Sequence, residues 1–367
     1  MMTHKNFIQK RWTVHQRVFF FLIIAVLILG TLNTAKARGW LLPELRSWAV
    51  TKNVIQLDSL TLEQKIAQMV IVHGGVWNLD AWRNLQVGGI HLFALEKEKL
   101  YVDTITQFQQ GMTIPFFVSV DLEGCQNPFA LFYNSTSASD IFTVEDALMK
   151  GERDGTYLNQ LGISLNYAPV VDLGDEIWRC RSFPGNEKNV SVLAASYIKG
   201  LQGEQVIATA KHYPGKTLVV HDPHKNLVVA SIDRSDIYPY SYLFQESNVS
   251  AVMVSHLIVS GEVSSEGKPS VVSSSLVGSV KENFKGLIIS DEINMLGLKN
   301  FYKTKEEMYI AVFKAGNDLV LDFNEDPNEV YHMISVVSDA VRLGLIPAAQ
   351  IDLSVRKILT AKGFSVQ

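Results

Sequence analysis

Cysteine is scarce in this chain of 367 residues, which carries only Cys125 and Cys180. Two thiols are too few for a cysteine-rich metal framework or a small disulfide-stapled scaffold. No His-x-His or His-Glu-x-x-His spacing occurs either, so no zinc-hydrolase signature is present. A basic stripe is also missing: Lys and Arg number 33 against 37 Asp and Glu, and they are scattered, which argues against a nucleic-acid partner. After residue 38 there is no solenoid repeat and no low-complexity linker. With 47% hydrophobic residues and a net charge of −4, the chain can bury a large core and is not a disordered polymer.

The N-terminus departs from this balance. Lys5, Lys10, Arg11 and Arg17 precede an uninterrupted apolar run from Val18 to Gly30, and Ala35-Lys36-Ala37 follows. A basic region, a short apolar region and a small-x-small site in that order are the anatomy of a secretory signal. The run of 13 residues falls short of the ~20 that span a bilayer comfortably. Residues 1–37 are therefore expected to be a signal peptide or, through residues 18–30, a membrane anchor. Both readings put residues 38–367 outside the cytoplasm, periplasmic or extracellular. In an oxidising compartment Cys125 and Cys180 can pair; two free thiols are the alternative.

Beyond residue 38, short runs rich in Val, Ile and Phe alternate with segments of helical period. The strand candidates are Met69–Val72, Ile90–Phe93, Phe116–Val120, Ser164–Tyr167, Val206–Ala210, Ala251–Ser255, Leu287–Ser290 and Asp318–Leu321. Helical patterns include Val144–Leu161, Val190–Gln202, Leu276–Phe284, Lys305–Ala315, Asn328–Leu343 and Ala348–Ala361, and Thr61 with Gln64 resembles a capping box. Apolar strands alternating with amphipathic helices imply a parallel sheet covered on its outer face. Eight such units predict an α/β fold, a (β/α)₈ TIM-type barrel forming one catalytic domain over 38–367. The first turn lacks Gly-x-Gly-x-x-Gly, which weakens a dinucleotide-binding reading, and no cofactor is expected.

Catalytic groups in such a barrel come from the C-terminal ends of its strands. Those ends read His73, Asp121 with Glu123, Asp172, Lys211 with His212, His256, Asp291 with Glu292, and Asp322. The densest stretch is Lys211-His212-Tyr213-Pro214-Gly215, followed by His221-Asp222-Pro223-His224. Glycoside hydrolysis needs one group to protonate the leaving oxygen and another to attack the anomeric carbon. His224 can do the first if Asp222 fixes its tautomer and supports the imidazolium. Asp291, at the end of an apolar strand, can do the second.

Together these residues resemble glycoside hydrolase family 3, in particular its single-domain bacterial β-N-acetylglucosaminidase branch. Lys211 to Pro214, Asp222 and His224 fall in register with the family's Lys-His-Phe-Pro-Gly-His-Gly and Asp-Ser-His segments. Ser290-Asp291-Glu292 is similar to its Ser-Asp-Asp segment, and Asp121-Leu122-Glu123-Gly124-Cys125 to its Asp-x-Glu-Gly-Gly. Ala168 to Asp172 and Arg181 to Phe183 match two more, so the resemblance runs from about Leu60 to Asp322. It implies a retaining hydrolase that removes terminal β-linked N-acetylhexosamine from peptidoglycan- or chitin-derived saccharides. It also implies Asp291 as nucleophile, His224 with Asp222 as acid/base, and Asp121, Arg181, Lys211 and His212 on sugar hydroxyls, without a metal.

Departures bear on specificity. The family's second glycine is Cys125, its histidine two residues after Pro is Lys216, and its following glycine is Thr217. An arginine expected eight residues after Asp121 is Phe129. A phenylalanine cannot make charge-assisted bonds to a sugar, so weaker discrimination among glycones is expected. Rival readings are a Schiff-base aldolase using Lys211, a metal hydrolase recruiting His212, His221, His224 and Asp291, and a phosphorylase. A non-catalytic sugar-binding barrel is the non-enzyme alternative.

Overall fold

A computed structural model of the chain describes residues 14–37, 50, 51, 53–216 and 227–367. Eight parallel strands form one sheet: β1 (Val70–His73), β2 (Gly89–His91), β3 (Phe117–Val120), β4 (Leu165–Asn166), β5 (Ile207–Tyr213), β6 (Ala251–Val254), β7 (Leu287–Ser290) and β8 (Val320–Asp322). Their order is β7-β6-β5-β4-β3-β2-β1-β8, each strand beside its chain neighbour except that β8 returns to β1. A parallel bridge between Ile289 and Leu319, with Ser290 N donating to Leu319 O at 2.9 Å, closes the sheet into a barrel. Each strand candidate falls on one of these strands. Val, Ile and Leu dominate because the strands face the barrel interior on one side and helices on the other.

The helices that cover the barrel begin and end where local chemistry requires. The helix α2 (Leu62–Gln68) opens on the expected capping box: Gln64 N donates to Thr61 Oγ1 at 3.3 Å and Thr61 N to Gln64 Oε1 at 2.8 Å. Helices Val144–Leu161 and Glu187–Gly203 pack closely side by side. Glycines permit that approach. A Cβ on Gly151 would lie 2.2 Å from Tyr197 O, and one on Gly200 would lie 2.4 Å from Leu148 O. The final helices, Pro327–Arg342 and Ala348–Ala361, meet their expected bounds within one residue.

Three features were not read from the periodicity. Strand segments Val229–Ile232 and Ile258–Gly261 pair in parallel beside the barrel. The helix Arg234–Glu246 carries Pro239 in its interior. The N-terminal apolar segment is longer than its 13-residue core suggests: the helix α1 (Val14–Ala37) has 24 residues. Its stretch Val14–Ala35 is long and apolar enough to cross a membrane, by length and composition. An N-terminal helix of this kind fits a signal or an anchor.

Candidate active site

The mouth at the C-terminal strand ends holds a cavity of about 620 Å³, a volume suited to a small ligand. Side chains alternate along a regular strand, so consecutive residues face opposite sides. At the end of β5 the register against β6 shifts between Ala210 and Tyr213, a bulge-like irregularity. Lys211 and His212 both line the cavity there. Asp121 and Glu123 reach it from β3, Arg181 from the segment after β4, and Asp291 with Glu292 from β7.

Four of these groups form a compact ion cluster. Lys211 Nζ lies 2.6 Å from Asp121 Oδ1 and 2.6 Å from Glu123 Oε1. Arg181 donates to both oxygens of Glu123, Nε to Oε2 at 2.6 Å and Nη2 to Oε1 at 2.8 Å, in the fork geometry that suits a carboxylate. Burial pushes Asp121 and Glu123 up, but the neighbouring cations together outweigh it, Lys211 first and then Arg181. Both carboxyls therefore sit below their usual range. Burial pulls the Lys211 ammonium down, and Asp121 and Glu123 more than restore it. Lys211 is thus held charged, the reverse of what a Schiff-base-forming amine needs. Asp121 remains 40% exposed toward the cavity, so its outer edge is open to a ligand.

His212 is held separately. Its Nδ1 lies 2.9 Å from Asp172 Oδ2, and its backbone N–H donates to Asp172 Oδ1 at 3.4 Å. A carboxylate there fixes the ring's orientation. Arg181 is delivered by a stapled loop. The Asp175 side chain accepts from the backbone N–H groups of Trp178 (2.8 Å), Cys180 (3.0 Å) and Arg181 (2.8 Å). Cys180 is bridged to Cys125 with a Cα–Cα distance of 6.1 Å, tying the loops after β3 and β4 together. The Trp178 ring lies over the guanidinium at 4.6 Å.

Just after β7, Asp291 Oδ1 accepts from Glu292 N at 2.8 Å, which fixes the carboxylate against its own backbone. Glu292 Oε1 accepts from Asn294 N and Nδ2 and from Phe323 N, and its carbonyl lies 2.8 Å from His256 Nε2. Burial pushes the Glu292 carboxyl up to about 7 and also raises Asp322, which accepts from Asn294 at 2.6 Å. His91, stacked between Tyr167 and Phe323 and buried, is pushed down to about 4 and is neutral at physiological pH.

With this geometry in place, the comparisons decide the family. The family model described as "Glycosyl hydrolase family 3 N terminal domain" matches residues 61–361. The chain belongs to glycosyl hydrolase family 3. It is 27% identical over 330 residues to the beta-hexosaminidase LpqI of Mycobacterium tuberculosis, covering 83% of each chain. It is 28% identical over 262 residues to a beta-hexosaminidase of Haemophilus influenzae, covering 65% of this chain and 73% of that one. The solved structure of M. tuberculosis LpqI superposes with a TM-score of 0.77 at 25% identity, over 88% of this chain and 99% of that one. This family membership makes the chain a glycosidase.

Among the residues expected from sequence, Asp121, Arg181, Lys211, His212 and Asp291 share one cavity. His224 and Asp222, with His221 and Thr217, lie outside the described residues. The expectation that Phe129 meets the sugar is corrected. Phe129, where the family carries arginine, is fully buried and does not line the cavity. It packs on Tyr101, Phe132 and Tyr157, with ring centroids at 4.7, 6.1 and 5.3 Å. Lys216 is also absent from the cavity lining: it donates to Ser231 O at 2.7 Å and pairs with Asp233 and Asp236, anchoring the end of β5 to the helix that follows.

Sequence reasoning missed His91, because β2 stops at His91 whereas the apolar run continues to Phe93. It also missed Asp175 as the residue that positions Arg181. Its signal is local: an Asp three, five and six residues before the N–H groups it caps.

Proposed function

We propose that this chain is a retaining β-N-acetylhexosaminidase that removes terminal β-linked N-acetylglucosamine from peptidoglycan- or chitin-derived saccharides. The reading is supported by one cavity lined by Asp291 together with Asp121, Arg181, Lys211 and His212. That relatives carry the name beta-hexosaminidase supports the choice of sugar.

In this reading the ion cluster seats the glycone before chemistry begins. Asp121 accepts hydroxyl protons, while Lys211 and Arg181, already held by Glu123, donate to hydroxyl oxygens without reorganising. Asp291 attacks the anomeric carbon and forms a glycosyl ester, as His224, supported by Asp222, protonates the leaving oxygen. Water then attacks the ester while His224 takes back a proton, and two inversions return the β configuration. Residues 1–37 serve as signal or anchor, and 38–367 act as the catalytic domain outside the cytoplasm.

Purified protein is assayed on a panel of aryl β-glycosides, with proton NMR of the first-formed sugar. The reading expects preference for the N-acetylglucosaminide and a β product. An α product, or turnover of other glycosides only, would overturn it.

A further inference from the structure

The helix Ala348–Ala361 closes the base of the barrel, the face opposite the mouth. Lys357 Nζ donates to Gly286 O at 2.9 Å and to Asp318 Oδ2 at 3.0 Å, just before β7 and β8. At the end of the helix, Lys362 Nζ donates to Gly88 O at 2.7 Å and to Gln68 Oε1 at 2.9 Å, just before β2 and β1. The helix therefore crosses the N-terminal ends of four strands, whereas the cavity lies at their C-terminal ends. Its inner side, with Ile351, Val355, Ile358 and Leu359, is fully buried.

The outward side of this base is apolar as well. Leu353 is 64% exposed, and in the connection from the preceding helix Leu343 is 75% and Leu345 48% exposed. Pro347, Ala348 and Ala349 are exposed between them, and no charged residue occurs from 343 to 351. Single exposed leucines are ordinary, but three on one uncharged segment make a contact face. The domain's chain also enters here. Val50 and Thr51 pair with Ile55 and Val54, which pair in turn with Val366 and Ser365, a few residues past the same helix.

We propose that this base rests on a lipid bilayer, with Leu343, Leu345 and Leu353 in the headgroup boundary and the mouth turned away from the membrane. The proposal rests on the reading of α1 as an anchor that stays on the chain. Length decides the orientation. Residues 38–49, fully extended, span at most about 43 Å between α1 and Val50. A domain of this size is about 50 Å across, so the link cannot run from the bilayer past the whole domain to a base that faces outward. An uncharged apolar face tethered this close gains by burial at the acyl boundary, as the apolar side of an interfacial helix does.

The test places the full chain in vesicles of phosphatidylethanolamine and phosphatidylglycerol whose acyl chains carry bromine, with a fluorophore on Leu345→Cys or Leu353→Cys. Because Cys125 and Cys180 are bridged, the label goes to the introduced thiol alone. Both labels should lose emission to the brominated lipid, while one on Leu131→Cys, 76% exposed in the loop after β3 at the mouth, should keep it. Loss at Leu131→Cys instead, or at none of the three while the chain floats with the vesicles, overturns the base contact and leaves the anchor reading intact. Shielding of the Leu353→Cys label without lipid, at raised protein concentration, assigns the face to a second copy of the chain and overturns the lipid contact. A full chain that does not float with the vesicles overturns the anchor reading and the base contact with it.

Discussion

Replacing Glu123 by alanine removes a carboxylate shared by two buried cations. Its side chain is 2% exposed, Lys211 is 3% and Arg181 is 9%, so water can replace little of what is lost. Removing one partner of a buried pair costs about 3–5 kcal/mol, mostly through the charge left behind. Lys211 keeps Asp121 at 2.6 Å, whereas Arg181 keeps the face of Trp178, so the loss centres on Arg181 and falls near the lower bound, about 3 kcal/mol. The unfolding temperature should drop by roughly 4–5 °C. Glu123→Gln, which keeps volume and one acceptor, should lose about half as much. Because the folded Glu123 carboxyl is lowered, its contribution is full above the unfolded value near 4.5 and is lost as pH falls from there through the folded value. Scanning calorimetry of both variants between pH 3 and 8 reads this directly. A deficit below ~0.5 kcal/mol at pH 7, or one that stays constant into acid, would refute the cluster as described.

Glu292 has the opposite sign: its carboxyl is raised from 4.5 to about 7, so its contribution to stability is full below 4.5 and is lost, by roughly 3 kcal/mol, as pH rises through 7. Glu292→Gln should therefore be more stable than the unaltered protein at pH 8 in denaturant titrations, and parallel pH curves would contradict this. Reducing the bridge between Cys125 and Cys180, which encloses a separation of 55 residues, should cost about 4 kcal/mol on the chain-entropy model. The loss appears as a lower denaturant midpoint, and an unchanged midpoint under reductant would count against it. Phe129→Arg should not sharpen sugar preference. It buries an unpaired charge among aromatic rings and should destabilise by roughly 3 kcal/mol or more, read by thermal unfolding.

Much of the barrel was legible because its strands are short apolar runs and its helices carry their own stops. Val144–Leu161 begins after Thr143, whose Oγ1 accepts from Asp146 N, and ends at Gly162 with φ of +84°, so both bounds follow from local chemistry. Segments Val229–Ile232 and Ile258–Gly261 were not legible. The first alternates exposed and buried residues, and its partner lies 29 residues away, so neither reads as an apolar run. At the site, residue types at strand ends predicted the polar wall of Asp121, Lys211 and His212. Side-chain direction was not predicted: motif register put Phe129 where an arginine contacts sugar, but only packing reveals that its ring turns toward Tyr101. Phe93 was missed for a related reason: it reads as the end of a strand, whereas the strand stops at His91 and Phe93 lines the cavity.

The central claim is that Asp291 is the nucleophile of a covalent glycosidase. Incubation with a fluorinated N-acetylglucosaminyl fluoride, which slows breakdown of the glycosyl ester, followed by peptide mass spectrometry, tests it most directly. The account predicts one adduct per chain, on the carboxylate of Asp291, absent in Asp291→Ala. An adduct on Glu292 or Asp172, or one that persists in Asp291→Ala, would contradict it.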